Sequence, residues 1–477
     1  MKINHLILSL FLCTATINAQ DRILSVAEMH EDINFYLSTL RSLHPNLYAH
    51  YDASHFDTLM QELKQKTSEP LPISQFRWLI SRFNGLTDGH TRIYSNQHGH
   101  QPFSWITAEN GKIMLSDYIL VNLGELPANI VYNRIASLIS WEINPVNKLA
   151  EINRLIAPYL IDYHRIKFPI RSKLLDVNTG AYTYSLLNPS WEDWRANALP
   201  AFTSYHSDNI NFRIYKEESI AVLFYNSSQI SEQEIPSFVR EVRAFFKEVE
   251  KNDIESIFID VSHNSGGSDG THQFIFRHLS WEPYQFEATI SLSEDGRNIF
   301  SEGITNSMTS GASNHNFDDA VVIEEMKKVE EFSQNMKQGG PDNLLESFQK
   351  EGRITVSLTL DRQLDGFNGN VFVIMGSHTY SAADTFCFYM ALGQRAVLVG
   401  EASGQRVPYS GNVIIGELPH SNIPFHFPIT FVVFSTEQTV NIKDGFLQPC
   451  IPFPLIRPLG LEDYKQIIEL AREKGKI

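Results

Sequence analysis

The sequence predicts a mixed α/β protein whose larger, C-terminal part contains a mostly parallel sheet. Four continuous apolar, β-branched and aromatic runs support this prediction, at residues 219–225, 257–261, 371–375 and 396–399. Uninterrupted runs of this kind are typical of strands that are buried on both faces. Helical patterns lie between or after these runs, at residues 232–250, 268–279 and 382–393. Such alternation of strands and helices favours parallel pairing through right-handed crossovers.

The first residues have the pattern of a signal peptide. Lys2 and His5 precede the apolar run 6–12, and small or polar residues follow it as far as Ala19. The run is much shorter than the roughly 20 residues that a helix needs to cross a bilayer. Cleavage near Ala19 is therefore the favoured interpretation, and a buried N-terminal strand is the alternative. We expect residues 1–19 to be the signal peptide of an exported protein, periplasmic or extracellular, with no membrane-spanning segment after it.

Residues 20–95 are predicted to form a small helical domain. Ser25 and Glu28 make a capping box, in which each side chain accepts a hydrogen bond from a free amide at the helix start. Apolar residues then recur at helical spacing until Pro45 ends the helix, namely Met29, Ile33, Leu37 and Leu40. Two more helices are predicted near residues 53–66 and 75–84.

The rest of the chain divides into a middle region, 96–205, and a core, 206–477. In the middle region, a segment at 133–146 and a helical stretch to Tyr159 weakly resemble a degenerate PDZ-like domain; an irregular linker or a lid is the alternative. The core contains the predicted sheet and an insertion near 290–366 that is rich in Asn, Ser, Glu and Lys, with a short strand predicted near Ile354–Leu358.

Charge and cysteine content narrow the class of protein. The net charge of −16 argues against nucleic-acid binding, because that function needs a basic surface to neutralise phosphates. After removal of the signal peptide only Cys387 and Cys450 remain, which permits one disulfide, although the apolar helical pattern around Cys387 favours a buried free thiol. His98 and His100 have the spacing of a pair of zinc ligands but no third ligand at a suitable spacing, so we expect no metal and no other cofactor.

Three short motifs have residue types suited to hydrolysis. Ser381 lies between the predicted strand 371–375 and the predicted helix 382–393. The free amides and the dipole of a helix start can stabilise an oxyanion beside such a serine. A serine that only caps the helix is the alternative.

The other two motifs lie earlier in the chain. Gly266 and Gly267 follow the predicted strand 257–261, and a glycine pair there lets the backbone approach a ligand closely; a tight turn is the alternative. His90, in the sequence Asp88-Gly-His-Thr91, has the side chain of a general base; a surface-turn histidine is the alternative.

The order of these motifs resembles that of the tail-specific (C-terminal-processing) serine protease family. Its relatives include the tricorn protease core and interphotoreceptor retinoid-binding protein. The resemblance is good over about 210–455, fair over the helical start and poor in between. It implies a ClpP/crotonase-like core with flanking helices, peptide-bond hydrolysis, and a peptide or protein substrate.

The resemblance also assigns roles to single residues. Ser381 would be the nucleophile, and the backbone amides of Ala382 and Gly266 would form the oxyanion hole, with Gly267 as the alternative donor. Relatives with a Ser–Lys dyad carry a lysine in the Gly-rich turn that here reads Gly404-Gln-Arg-Val407. Arginine does not release its proton at workable pH, so this chain lacks the dyad.

The resemblance then implies the tricorn-like arrangement, with His90 as the base. A carboxylate should orient its imidazole, and Glu437 is the first candidate, Glu401 the second. The chain departs from the family pattern in two places: it lacks an arginine and a third glycine around the strand-end motif, and it has Pro449-Cys450 where Pro-Asp is usual. A peptide- or ligand-binding protein that has lost the chemistry is therefore the alternative function, and an esterase with the same machinery is a third.

Overall fold

The structure is a computed structural model that describes residues 21–94, 106–190, 208–293, 295–297, 319–339, 344–360, 363, 365–435 and 440–477. The mixed α/β class predicted from the sequence is confirmed. The predicted signal peptide and the pair His98 and His100 lie outside the described residues.

The N-terminal region is mainly helical. Its elements are β1 (Ile23–Leu24), α1 (Val26–Leu43), α2 (Ala53–Lys66), β2 (Leu71–Pro72), α3 (Ile73–Ile80) and β3 (Arg92–Ile93). The predicted capping box is present at the start of α1, where the Ser25 amide donates to Glu28 Oε2 at 2.8 Å and the Glu28 amide donates to Ser25 Oγ at 3.3 Å. A 3-10 turn at Ser81–Leu86 continues α3 and leads into the loop that contains His90.

The middle region has a regular fold over residues 106–190. Its elements are β4 (Thr107–Glu109), β5 (Lys112–Leu115), β6 (Tyr118–Leu120), β7 (Asn122–Leu123), β8 (Leu126–Pro127), α4 (Ala128–Ala136), α5 (Pro145–Asp162), β9 (Ile170–Asp176) and β10 (Tyr182–Leu187). Five strands form an antiparallel sheet in the order β10-β9-β6-β5-β4. Apolar side chains of α4, α5 and this sheet share one buried cluster. An irregular linker is therefore excluded for these residues.

The C-terminal region contains the remaining elements. They are β11 (Ile210–Tyr215), β12 (Ile220–Tyr225), α6 (Ile235–Lys251), β13 (Ser256–Asp260), α7 (Gln273–Phe276), β14 (Tyr284–Leu292), α8 (Ala320–Asn335), β15 (Met336–Gly339), α9 (Leu344–Glu351), β16 (Arg353–Leu360), β17 (Asn370–Met375), α10 (Ala382–Leu392), β18 (Val397–Gly400), β19 (Tyr409–Glu417), β20 (Pro424–Phe434), β21 (Ile442–Lys443), β22 (Phe446–Leu447), β23 (Ile451–Pro452) and α11 (Leu461–Glu473).

The predicted parallel strands form one six-stranded sheet in the order β11-β12-β13-β17-β18-β23. Every pairing after β11-β12 is parallel. Both faces are buried: along β12, Leu223 and Tyr225 join the cluster that includes α6 and α10, whereas Val222 and Phe224 join the cluster that includes α11. Burial on both faces explains the continuous apolar runs in the sequence.

A second sheet corrects the prediction of a mostly parallel core. Strands β15, β16, β14, β20 and β19 pair in that order, and every pairing is antiparallel. The ends of the predicted insertion at 290–366 therefore belong to this sheet, through β14 and β16. The short strand predicted near Ile354–Leu358 corresponds to β16. The sequence did not reveal β14, because a strand with one exposed face alternates in polarity and lacks a continuous apolar run.

The second sheet also carries the N-terminal helices. Ile33 and Leu37 of α1 lie in one buried cluster with Phe425 and Phe427 of β20. Strand β3 pairs with β20 in the same place, with Ile93 opposite Phe425. The loop before β3 is thereby fixed against the C-terminal region. None of the helices in the described ranges combines the length and apolar character that crossing a bilayer demands.

Candidate active site

The structure brings the predicted base and nucleophile together. His90 Nε2 lies 3.2 Å from Ser381 Oγ, although the two residues are 291 positions apart in the chain. His90 lies in the loop before β3, two residues ahead of that strand, and Ser381 lies directly before α10, so a regular element adjoins each of the two residues.

The backbone of Ser381 has an unusual conformation. Its φ of 53° and ψ of −124° lie in a region that residues with a Cβ rarely adopt, and such strain is concentrated at functional sites. The Ser381 hydroxyl makes no capping hydrogen bond to the helix. The plain N-cap interpretation is therefore wrong for this serine, whose hydroxyl faces His90 instead.

Two neighbours hold the Ser381 backbone in place. The Ser381 amide donates to Gln405 Oε1 at 2.6 Å, and the Tyr380 amide donates to the Asn264 carbonyl oxygen at 3.1 Å. Gln405 is fully buried in the Gly-rich turn. The adjacent Arg406 has its guanidinium over the rings of Phe446 and Trp141, at 4.9 and 5.8 Å from the ring centroids.

The glycine pair is required by close packing. A Cβ on Gly266, whose φ is +100°, would lie 2.6 Å from Ser381 Cβ. A Cβ on Gly267, whose φ is +141°, would lie 2.2 Å from the backbone of Ser228. Only glycine accommodates both the positive φ and the approach of the neighbouring backbone.

The three backbone amides predicted as oxyanion donors differ in whether they already make a hydrogen bond. The Gly266 amide donates to Asn264 Oδ1 at 2.9 Å and is therefore occupied. The amides of Ala382 and Gly267 have no hydrogen-bond partner among the described residues. Ala382 N lies 3.0 Å from the point where a Cβ on Gly266 would lie, so this amide borders the same turn.

The environment of His90 favours a neutral imidazole. Burial lowers the pKa of His90, the Asp88 carboxylate opposes this effect, and His44 adds to it. Asp88 Oδ1 accepts hydrogen bonds from the His90 amide and the Thr91 hydroxyl, and its Oδ2 lies 3.1 Å from His44 Nε2. Burial is the largest single effect and raises the pKa of Asp88, but His44, His90 and a hydrogen bond from Ser410 together outweigh it and leave the pKa below its usual value.

The carboxylate that should orient His90 is not among the described contacts. His90 Nδ1 is buried and has no partner within the described part of the chain. Glu437, the first candidate, lies outside the described residues. Glu401, the second, accepts from the Leu455 amide at 3.0 Å and makes no hydrogen bond to His90.

Sequence reasoning missed several residues at this site. Asn264, Gln405 and Glu142 each accept a hydrogen bond from the backbone of a site residue. Asn264 lies two residues before the predicted glycine pair, but a side-chain acceptor for a backbone amide has no spacing signal of its own. Cys387 is buried and free, as predicted, and Cys450 is also free.

The described residues contain no group of three or more His, Cys, Asp or Glu side chains placed to hold a metal ion.

A cavity of about 310 Å³ adjoins the His90 loop. Its lining includes Gly89 and Thr91, the two neighbours of His90 in the chain. The apolar part of the lining comes from Leu138, Ile139, Ile143, Ala150 and Leu155.

Comparison with known proteins gives the family. Residues 229–415 match the family model described as peptidase family S41, whereas no curated protein matches the chain. Mature CPAF aligns over 93% of this chain and 96% of its own, with a TM-score of 0.55 and 13% identity. Mature CPAF complexed with lactacystin aligns over 94% and 98%, with a TM-score of 0.54 and 13% identity.

A photosystem II D1 C-terminal processing protease aligns over 91% of this chain and 96% of its own, with a TM-score of 0.42 and 9% identity. The similarity to CPAF establishes the fold, and the family model establishes the class. Over residues 229–415 the chain matches peptidase family S41, the tail-specific (C-terminal-processing) serine-type peptidases.

Proposed function

We propose that the chain is an exported serine peptidase that hydrolyses peptide bonds by a Ser–His mechanism. The observation that carries the proposal is the 3.2 Å separation of His90 Nε2 and Ser381 Oγ. That separation is within the range expected of a nucleophile and its general base in the absence of substrate.

In the proposed mechanism, Ser381 Oγ attacks the scissile carbonyl carbon while its proton passes to His90 Nε2. This step requires a neutral imidazole with its proton on Nδ1, and burial, which lowers the pKa of His90, favours that form at neutral pH. The protonated imidazole then gives the proton to the leaving amine, and a water molecule hydrolyses the acyl-enzyme by the reverse proton path.

The developing oxyanion would be stabilised by the amides of Ala382 and Gly267. These two amides are without partners among the described residues, whereas the Gly266 amide is engaged by Asn264. We therefore assign Gly267 rather than Gly266 as the second donor. Donors already fixed in place stabilise the transition state without reorganisation.

A peptide is the proposed substrate because the cavity beside His90 suits an amino-acid side chain. Its apolar lining, from residues such as Leu138 and Leu155, favours burial of an apolar group, and Arg92 and Glu151 add charge at its border. The finer fold assignment, a ClpP/crotonase-like core, belongs to the same proposal; the parallel pairings from β12 to β23 support it. Export rests on the signal-peptide pattern of residues 1–19, and the N-terminal sequence of the mature protein would test it.

Labelling with a fluorophosphonate probe tests the mechanism directly. The full chain should react at a single serine, and Ser381→Ala should abolish labelling and peptide hydrolysis. Ser377→Ala is the matched control, because Ser377 is also buried and lies in the same strand-to-helix loop. Equal labelling of wild type and Ser381→Ala would refute the assignment of the nucleophile.

A peptide-binding protein without hydrolytic activity is the competing function. The observation in its favour is the occupied Gly266 amide, since the oxyanion hole implied by the family resemblance is then incomplete. Tight binding of a peptide together with the absence of probe labelling at every pH would establish the competing function.

A further inference from the structure

We propose that Glu142, from the middle region, is a positioning residue for the catalytic base. Its carboxyl group holds the His90 loop at the right distance from Ser381. The proposal rests on the proposed Ser–His mechanism and adds a role that the S41 family segment at 229–415 does not include.

Glu142 holds the backbone immediately before the base. Its Oε2 accepts a hydrogen bond from the Gly89 amide at 2.5 Å, and the residue is only 3% exposed. A Cβ on Gly89 would lie 3.1 Å from Glu142 Oε2 and 2.0 Å from the hydroxyl oxygen of Tyr380. Gly89 is thus enclosed between Glu142 and the residue that precedes Ser381. The Tyr380 ring also contacts His90, with 5.1 Å between ring centroids.

The charge state of Glu142 suits this role. The titratable groups near it are Asp88 on the base loop, Tyr380 and Asp384 at the start of α10, and Arg406 on the Gly-rich turn. Burial raises the pKa of Glu142 to about 8, and the nearby Asp88 carboxylate raises it too. A neutral carboxyl group still offers an acceptor oxygen to Gly89 but adds no second negative charge beside Asp88. Glutamine can supply the same acceptor, whereas leucine cannot.

The segment around Glu142, residues 140–147, also contacts the nucleophile side of the site. In the base loop, the Thr87 carbonyl oxygen accepts from Ser140 Oγ at 2.6 Å. At the Gly-rich turn, the Ser403 carbonyl oxygen accepts from Asn144 Nδ2 at 2.9 Å. In the loop before Ser381, the Ser377 carbonyl oxygen accepts from Asn147 Nδ2. One short segment of the middle region therefore binds the base loop, the Gly-rich turn and the loop before Ser381. This segment therefore helps to set the position of the base loop relative to Ser381, in addition to the pairing of β3 with β20.

The test compares Glu142→Leu with Glu142→Gln in the full chain. Glu125→Leu is the control, because Glu125 is an exposed glutamate of the same region. Glu142→Leu should lower kcat for a peptide and the rate of fluorophosphonate labelling by about 10- to 100-fold, the usual cost of a small misplacement of a catalytic group. KM should change little, since Glu142 is buried and does not line the cavity proposed for the substrate. Glu142→Gln should restore most of the rate.

Hydrogen exchange of the peptide spanning residues 87–92 provides a readout that needs no activity. Glu142→Leu should accelerate exchange there, and Glu142→Gln and Glu125→Leu should not. A wild-type rate in Glu142→Leu, or an equal loss in Glu142→Gln, would overturn the proposal. If the wild type neither hydrolyses peptides nor labels, the proposed function fails, and unchanged exchange in Glu142→Leu would then overturn the positioning role separately.

Discussion

Replacing Asp384 by Asn should remove a pH-dependent loss of stability from this protein. Asp384 lies in the first turn of α10, three residues after Ser381. Its side chain is fully buried, and neither carboxylate oxygen has a hydrogen-bond partner among the described residues. Burial raises the pKa of Asp384 from 3.8 to about 7, and the nearby Ser403 hydroxyl only partly opposes this effect.

The sign and size of the effect follow from proton linkage. Because the pKa of this carboxyl group is higher in the folded than in the unfolded chain, the stability it confers is present at low pH and is lost as pH rises from about 4 to about 7. Between pH 5 and pH 8 the expected loss of unfolding free energy is on the order of 2 to 3 kcal/mol. Asparagine has nearly the same shape and does not ionise, so Asp384→Asn should not show this component.

Urea unfolding followed by tryptophan fluorescence at pH 5 and pH 8 measures the difference. The wild type should lose on the order of 2 to 3 kcal/mol more than Asp384→Asn between the two pH values. Asp117→Asn is the control, because Asp117 is exposed in the turn between β5 and β6, and it should follow the wild type. Parallel pH dependences of the wild type and Asp384→Asn would show that Asp384 is ionised or hydrated in the folded state, and would refute the reasoning.

Three further results are expected. As the pH is lowered, kcat/KM should fall through an apparent pKa below 6.5, because burial lowers the pKa of His90. His90→Ala should reduce kcat by about 10²- to 10⁴-fold. A pH profile that is unchanged in His90→Ala would exclude His90 as the base. Gly266→Ala should abolish probe labelling, because its Cβ would lie 2.6 Å from Ser381 Cβ, and full labelling would contradict that geometry. A chain that starts at residue 206 should not hydrolyse peptides. It should also bind a hydrophobic dye, because the apolar surface of β20 that α1 covers is then exposed. An active fragment would contradict the assignment of His90.

The buried parallel strands could be predicted from the sequence because burial on both faces requires a continuous run of apolar residues. The run at 219–225 became β12 at Ile220–Tyr225, and the run at 371–375 became most of β17. Alternation with helices then favoured parallel pairing, which is found for every pair of the six-stranded sheet except β11-β12.

The antiparallel sheet could not be predicted in the same way. Its strands β14 and β20 are separated by more than a hundred residues, and along β14 buried positions alternate with more exposed ones. Such strands are defined by their partners, and a single sequence does not specify those partners. The polar insertion between β14 and β16 concealed the pairing further.

In the candidate active site, too, residues in short sequence motifs could be predicted, whereas contacts between distant segments could not. His90 and Ser381 lie in short motifs, so their residue types and the order of the motifs were sufficient to select them. Glu142 and Gln405 act on backbone amides of distant segments, and an acceptor for a backbone amide carries no motif. Such contacts become visible only when the chain is folded.

His90, the proposed base, is held in place by the hydrophobic packing around its loop as well as by hydrogen bonds. The loop that carries His90 ends at β3, and Ile93 of β3 is fully buried opposite Phe425 of β20. At the other end of the loop, the 3-10 turn contributes Phe83 to the same buried cluster. Both ends of the loop are therefore anchored in apolar contacts with the sheet that belongs to the Ser381 region. The distance from His90 to Ser381 is consequently a property of how the N-terminal helices pack on β20, and a cavity in that cluster should impair catalysis without touching a catalytic atom.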